Sequence, residues 1–510
     1  MAVATENRAG DIPSTFCPRD RRRYVLAAAI LASALGFIDG SIVAIAIPAI
    51  RLDLGASLVD AQWISNAYAL TLSALILVGG AAGDRFGLRA TFIAGIVFFI
   101  VTSIACAAAP NAATLIVSRA LQGIGAAIMV PCSLAIIAKA YPKAERGRAI
   151  GIWAASSALT TAIGPVLGGF VLSSFDASVW RVIFAINLPL GALAVYLLVA
   201  KVPADLPEGR RRLDLVGAVL AIAGFGALAY GLTALSAEST GQASMLASLF
   251  AVGIGVVGLV VFVWWEARQP NPMVELSLFR NRPFSGANIA TFFLYFSLSA
   301  VLFYLPMLLI AGWGLTSAEA GFIFLPLSAA IALLSGPVGK LSDKLGARLP
   351  ITLGSAIVAL AFAGLAYLSA SAIHAFWAGV FPAMVVMGLG MALVVSPLST
   401  AIMTAVDDRH SGAASGINNA VARVAGLMAV AAMGAVAAFV YASVLGEIPP
   451  GSIPGYGEPV ATALPAHMEA ARLHASDSAF AAVAAITALF CVFSAITAWQ
   501  SIAGAKRKAA

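Results

Sequence analysis

The chain has 510 residues, of which 61% are hydrophobic and only 10% charged, with a formal net charge of +7. A soluble domain carries roughly 25% charged residues, so this composition, with a mean hydropathy of +0.97, describes an integral membrane protein and excludes a sizeable soluble domain. The positive charge does not point to nucleic acid, because the basic residues cluster in alternate loops, and the four histidines and four scattered cysteines show no metal-ligand, catalytic or redox spacing.

Residues 1–24 read as a cytoplasmic tail. Arg19 to Arg23 is basic and precedes an apolar run longer than the core of a signal peptide, with no small-residue cleavage pattern behind it. About fourteen apolar segments follow, each long enough for a tilted membrane helix. They lie near 25–48, 61–82, 90–109, 112–138, 149–173, 180–200, 213–235, 245–266, 284–309, 318–337, 350–370, 374–402, 413–440 and 478–500. About 25 of the basic residues fall in the N-terminal tail, the even-numbered connections and the tail at 501–510 with Lys506, Arg507 and Lys508. That bias predicts a multi-pass cell-membrane protein with both termini cytoplasmic, which requires an even number of spans.

The first span carries Asp39, deep in an apolar run. A carboxylate there costs roughly 2.5–3.5 kcal/mol on insertion scales and marks a functional group by default. Span 2 opens with Trp63, placed for an interfacial anchor. Span 4 carries Arg119, with Gln122 one turn further on the same face. Asp39 lies about nine residues from the outer end of its expected segment and Arg119 about seven, or roughly 14 and 10 Å at 1.5 Å per residue, so the two share a depth. Burial raises a carboxyl pKa and a neighbouring guanidinium lowers it; a changing separation between them makes proton affinity alternate. A static ion pair is the plainer reading. In span 5, Gly164-Pro165 combines a kink with Gly168 and Gly169, which admit a close neighbour. Asp214 and Glu266 sit at span ends and are expected to be solvated. Span 9 places Asn288, Phe292, Tyr295 and Ser299 at helical spacing, a mixed stripe fit to line a substrate cavity or to pack on another helix. Arg423, in span 13, either faces the cavity or reaches the cytoplasmic end. The outer loop at 441–477 holds Pro449, Pro450, Gly451, Pro454 and Gly455, then an Ala-rich piece from Met468 to His474 that reads as a short helix. It is either a solvated loop or a partial lid.

Two connections repeat one pattern. Gly80-Ala-Ala-Gly-Asp84-Arg85-Phe-Gly87-Leu-Arg89 and Gly339-Lys-Leu-Ser-Asp343-Lys344-Leu-Gly346-Ala-Arg348 both follow G-x-x-x-D-[R/K]-x-G-x-R on the same side of the bundle. A matched pair implies two related halves: 25–201 and 284–500, each of six helices, with linker helices 7 and 8 inside 202–283. The charges suit a gate that forms in one state and breaks in another.

These loops resemble the signature between helices 2 and 3 of the major facilitator superfamily, and the whole chain is similar to its fourteen-helix drug:proton antiporter branch. Phe37-Ile-Asp39-Gly-Ser-Ile-Val-Ala-Ile-Ala-Ile-Pro48 resembles that branch's first-helix signature, with Ser41 and Ala44 where Thr and Asn are common. Gln62-Trp63-Ile-Ser-Asn66-Ala-Tyr68, Arg119-Ala-Leu-Gln122-Gly123-Ile-Gly125, Gly164-Pro165-Val-Leu-Gly168-Gly169, and Trp180-Arg181 with Asn187-Leu-Pro189 are similar to its second, fourth, fifth and sixth helices. The resemblance implies an all-α major facilitator fold with two six-helix halves plus two linker helices. It puts Asp39, Arg119, Gln122 and Asn66 at a central cavity, with Asn66 where some exporters carry an acid. It implies a monomer that exports hydrophobic or amphipathic small molecules in exchange for protons, without cofactor, metal or ATP. Rivals are a dedicated exporter of one metabolite or lipid, and a sensor on a transporter scaffold.

Overall fold

A computed structural model describes residues 15–207, 213–238, 244–270, 272–407, 410–446, 448, 452–460 and 463–502. Pro449, Pro450, Gly451, Lys506, Arg507 and Lys508 lie outside the described residues. All regular structure among them is helical.

Fourteen helices are long and apolar enough to cross a membrane: α1 (Arg22–Leu54), α2 (Leu58–Phe86), α3 (Leu88–Ala107), α4 (Ala112–Ala140), α5 (Glu145–Ser174), α6 (Ala177–Lys201), α7 (Leu215–Ser236), α8 (Met245–Glu266), α9 (Arg282–Gly312), α10 (Ser317–Leu345), α11 (Arg348–Ala370), α12 (Phe376–Thr404), α13 (Gly412–Leu445) and α14 (Ala466–Ser501). Helices α1–α6 pack on one another, as do α9–α14. The pair α7–α8 is joined to the rest through α7, which lies against both α2 and α13 and so touches both halves. Exposed leucine, valine and phenylalanine side chains cover α8, among them Leu246, Phe250 and Val257. A bilayer is the solvent that suits such a surface.

Several boundaries differ from the sequence expectation; α10, for one, runs to Leu345 and not to 337. The first helix continues through Pro48 to Leu54. Proline removes one ladder hydrogen bond, but neighbouring helices sustain a proline-bearing helix in a bilayer. The last helix begins at Ala466, so the piece from Met468 to His474 is its first turns and no separate helix. Hydropathy missed it because its polar groups are satisfied by protein. Arg472 pairs with Glu469 and donates to the carbonyls of Ala311 (2.8 Å) and Gly312 (3.1 Å), which end α9.

The N-terminal ends of the odd helices and the C-terminal ends of the even ones form one face, the basic face; the other is the opposite face. Close backbone approaches between the halves lie near the opposite face. A Cβ on Gly169 would stand 2.3 Å from the Ser317 carbonyl oxygen, so only glycine lets α5 meet α10 there. Near the same face, α2 meets α13 around Gln62 and Val430.

Candidate functional site

Asp39 is 1% exposed, Arg119 2% and Gln122 not at all. They meet inside the first half. Arg119 Nη1 donates to Asp39 Oδ2 and to Gln122 Oε1 (2.6 Å), and its Nε donates to the Ile64 carbonyl (3.1 Å). Gln122 Nε2 donates to the other carboxylate oxygen of Asp39 (3.0 Å) and to Ser103 Oγ (2.7 Å). Asn187 Nδ2 also donates to Ser103 (3.0 Å). The guanidinium lies over the Tyr68 ring at 4.3 Å and within 5.7 Å of Phe184. One carboxylate is thus tied into a network with groups from α2, α3, α4 and α6. Buried charge of this kind persists when every lone pair is met. Among the described residues, the hydrogen bonds of the pair go to groups of its own half, and both side chains are buried. Since α1 runs to Leu54, Asp39 also lies fifteen residues from its end, further than the expected segment gave.

The fifth-helix motif holds the helix that carries Asp39. Gly164 lies against Ile38, and a Cβ on Gly168 would meet the Ile42 side chain at 2.1 Å. From the same stretch, Pro165 and Gly169 reach α10 at Gly321 and Ser317. The motif therefore ties α1 to the other half. An apolar recess of about 210 Å³ opens beside it, between Ile38, Ile42, Gly164, Gly168 and Ile183. At the end of α1, Trp180 Nε1 donates to Asp53 (2.9 Å) and Arg181 pairs with the same carboxylate.

Both repeated loops turn on a glycine in the left-handed region, Gly87 at φ 92° and Gly346 at φ 78°. In each, the last arginine binds the end of the final helix of its own half. Arg89 donates to the carbonyls of Leu198 (2.9 Å) and Val199 (3.0 Å); Arg348 donates to Ile502 (2.7 Å). Asp205, which sequence reasoning missed, accepts from the backbone N–H groups of Leu88 and Arg89 (both 2.9 Å) and from Lys139 (3.0 Å). Burial alone raises its pKa, but these donors outweigh it and hold the carboxyl below the usual range. Gly80 faces Pro131 of α4. Asp84 is half-buried, Arg85 lies over Phe86, and Asp343 and Lys344 are exposed.

Among the expected cavity residues, Asn288 is buried and accepts from Asn418 Nδ2 (3.2 Å), which also donates to Thr291 (2.8 Å), so it joins α9 to α13. Phe292 packs on Phe293 and Phe296. Tyr295 is half-buried and lies within electrostatic reach of Arg423. Ser299 meets α13 at Gly426. Asn66 is 1% exposed, and neither end of its amide has a partner among the described residues. Trp63 packs on Tyr230 of α7. Asp214 and Glu266 are corrected as well. Glu266 is 2% exposed and accepts from Val274 N–H (2.9 Å), while Asp214 caps α7 through Gly217 N–H (2.7 Å).

A polar node that the sequence did not signal joins both halves and the extra pair. Gln62 Nε2 donates to Tyr304 Oη (2.9 Å) and to the Val430 carbonyl (3.3 Å), with Ser236 of α7 at 3.5 Å. Beyond it, Tyr456 of the 441–477 loop packs against α1 and α9. Tyr456 is 2% exposed; its carbonyl accepts from Arg51 of α1 (2.7 Å) and its hydroxyl reaches Tyr304.

The model of the family described as Major Facilitator Superfamily matches residues 29–430. The chain is 35% identical over 414 residues to the multidrug resistance protein Stp of Mycobacterium tuberculosis, covering 80% of this chain and 75% of that one. It is 32% identical over 414 residues to the tetracenomycin C resistance and export protein of Streptomyces glaucescens, covering 79% and 74%. Among solved structures, a bacterial homolog of the human lysosomal transporter Spinster, inward-facing and unoccupied, superposes with a TM-score of 0.67 at 15% identity, covering 95% of this chain and 99% of that one.

Proposed function

The chain belongs to the Major Facilitator Superfamily, and from that premise we propose that it is a proton-coupled exporter of hydrophobic or amphipathic small molecules. It works as a monomer in the cell membrane by alternating access, with both termini and the basic face in the cytoplasm. The observation that carries the proton step is the Asp39–Arg119–Gln122 network. It holds a buried carboxylate inside the membrane-spanning helices, tied to a guanidinium from another helix. Its deep burial makes protonation depend on whether Arg119 stays within reach. Rocking of the halves about the α5–α10 and α2–α13 contacts shifts α1 against α4 and changes that reach. The names of the two relatives above support export of drug-like molecules. The contacts at the opposite face, capped by Tyr456, correspond to a state closed to the outside.

Export from proteoliposomes under an imposed pH gradient tests the reading, comparing wild type with Asp39→Asn. Loss of gradient-driven export in the variant, with the protein still folded, is the expected result; full proton-driven export by Asp39→Asn sinks it. A dedicated exporter of one compound is the second reading, favoured by the relative named for tetracenomycin C. Competition among unrelated dyes for one efflux route decides between them, since a dedicated exporter shows none.

A further inference from the structure

Arg423 sits half-buried on α13, eleven residues from the first residue of that helix. The other arginines held deep in the bundle are all spent. Arg119 binds Asp39; Arg51 binds Tyr456, Ala56 and Glu458; Arg472 binds Glu469 and the end of α9. Arg146 has a bare Nε too, but it lies in the first turn of α5, where the side chain reaches the interface. Arg423 pairs with no carboxylate among the described residues, and its buried Nε has no acceptor. An ionised guanidinium inside a membrane protein costs several kcal/mol unless paired, so an unpaired one is a functional group waiting for a partner.

Its surroundings state what the partner must be. The ionisable groups within electrostatic reach of Arg423 are the phenols of Tyr68, on α2 of the first half, and Tyr295, on α9 of the second. Among the described residues, neither hydroxyl has a hydrogen-bond partner in the protein, although Tyr304 nearby has one. Three donors thus stand at the boundary of the two halves, and no protein acceptor answers them. Half-buried aromatic rings, Phe292 and Tyr295, flank the same helix face. Tyr68 also rests its ring on Arg119, so whatever Arg423 binds abuts a residue that packs on the proton network.

We propose that Arg423, with the hydroxyls of Tyr68 and Tyr295, binds the ionised acidic group, a carboxylate or phenolate, of an amphipathic substrate. The assignment deepens the exporter reading and rests on it. The apolar body of the substrate lies against the aromatic face of α9, and the guanidinium supplies a charge-assisted bond that a neutral or cationic analogue cannot form.

Three matched probes test it: 1-pyrenebutyrate, 1-pyrenebutanol and a pyrenebutyl-trimethylammonium salt. Binding is read by energy transfer from tryptophan to pyrene in reconstituted full-length protein, and proton-driven export of each probe is followed in the same vesicles. Wild type is expected to bind the butyrate about tenfold or more tightly than the butanol. In Arg423→Gln that preference falls to within about threefold, and Arg423→Lys restores most of it. Should Arg423→Gln fail to fold, Tyr295→Phe and the wild-type probe series decide. The assignment is overturned if wild type shows no preference for the anion, or prefers the ammonium. It is also overturned if Arg423→Gln keeps the wild-type preference, including the case where only proton coupling is lost. Export of the butanol or the ammonium without preference for the butyrate sinks this assignment alone; no proton-driven export of any probe sinks the exporter reading itself.

Discussion

At the scale of the residue, the decisive quantity is the cost of a charge without a partner. Truncating one member of a buried pair leaves the other exposed to a low dielectric, which destabilises by about 3–5 kcal/mol. Arg119→Ala should therefore lower the melting temperature in detergent well below that of Asp39→Asn, because Asn keeps an acceptor for Arg119 and Gln122. Adding Asp39→Asn to Arg119→Ala should recover much of the loss; equal melting of the single and double variants would show that the pair is not the cause. Asp205 gives a pH test. Its folded pKa is depressed, so its contribution is complete above the ordinary Asp range and is lost as pH falls through the folded value. Wild type should melt above Asp205→Asn at pH 7, and the gap should close as the pH drops below about 4; a gap independent of pH would contradict this. Asp39 and Arg119 were legible in the sequence as isolated charges at a shared depth. Asp205 was not, because a carboxylate in a connection looks solvated until the chain folds it onto the start of α3.

At the scale of the element, close approach is set by what is missing from a side chain. Adding a Cβ at Gly169 forces α5 away from α10, since its neighbour is backbone and cannot turn aside. Gly169→Val should open the opposite face, raising maleimide labelling of a cysteine placed at Ser317 several-fold over the same cysteine in the parent. Unchanged labelling would mean that the α5–α10 contact does not close that face. The sequence showed that Gly168 and Gly169 admit a neighbour. It did not show that the first receives α1 and the second α10, because a glycine pattern carries no record of which helix is rotated toward it. The repeated loops behave alike. Their glycines and arginines were readable, whereas the targets of Arg89 and Arg348 at the ends of α6 and α14 were not, being more than a hundred residues away along the chain.

At the scale of the whole molecule, the extra helix pair wedges against both halves through α7, and the Gln62 node brings α2, α7, α9 and α13 to one point. Gly434 lies directly over Gln62, so cysteines at the two positions should crosslink readily under oxidation. The crosslinked protein should be held closed at the opposite face and lose transport, with recovery on reduction. Full transport by the oxidised protein would show that the α2–α13 contact need not part during the cycle.

The sequence by itself determined the membrane class, the even number of spans, the repeat and the few charges too costly to be accidental. Each of these is local or periodic, and hydropathy and charge report it directly. Only the tertiary structure decided that Asp39 and Arg119 join one buried network with Gln122 and Ser103, that Asn288 is spent between helices, that α14 begins well before its apolar stretch, and that Arg423 stands unpaired where the halves meet. Those facts depend on the tilt and rotation of helices distant in the chain. They are fixed by which polar groups find partners once water is gone, and no window along the sequence contains that information.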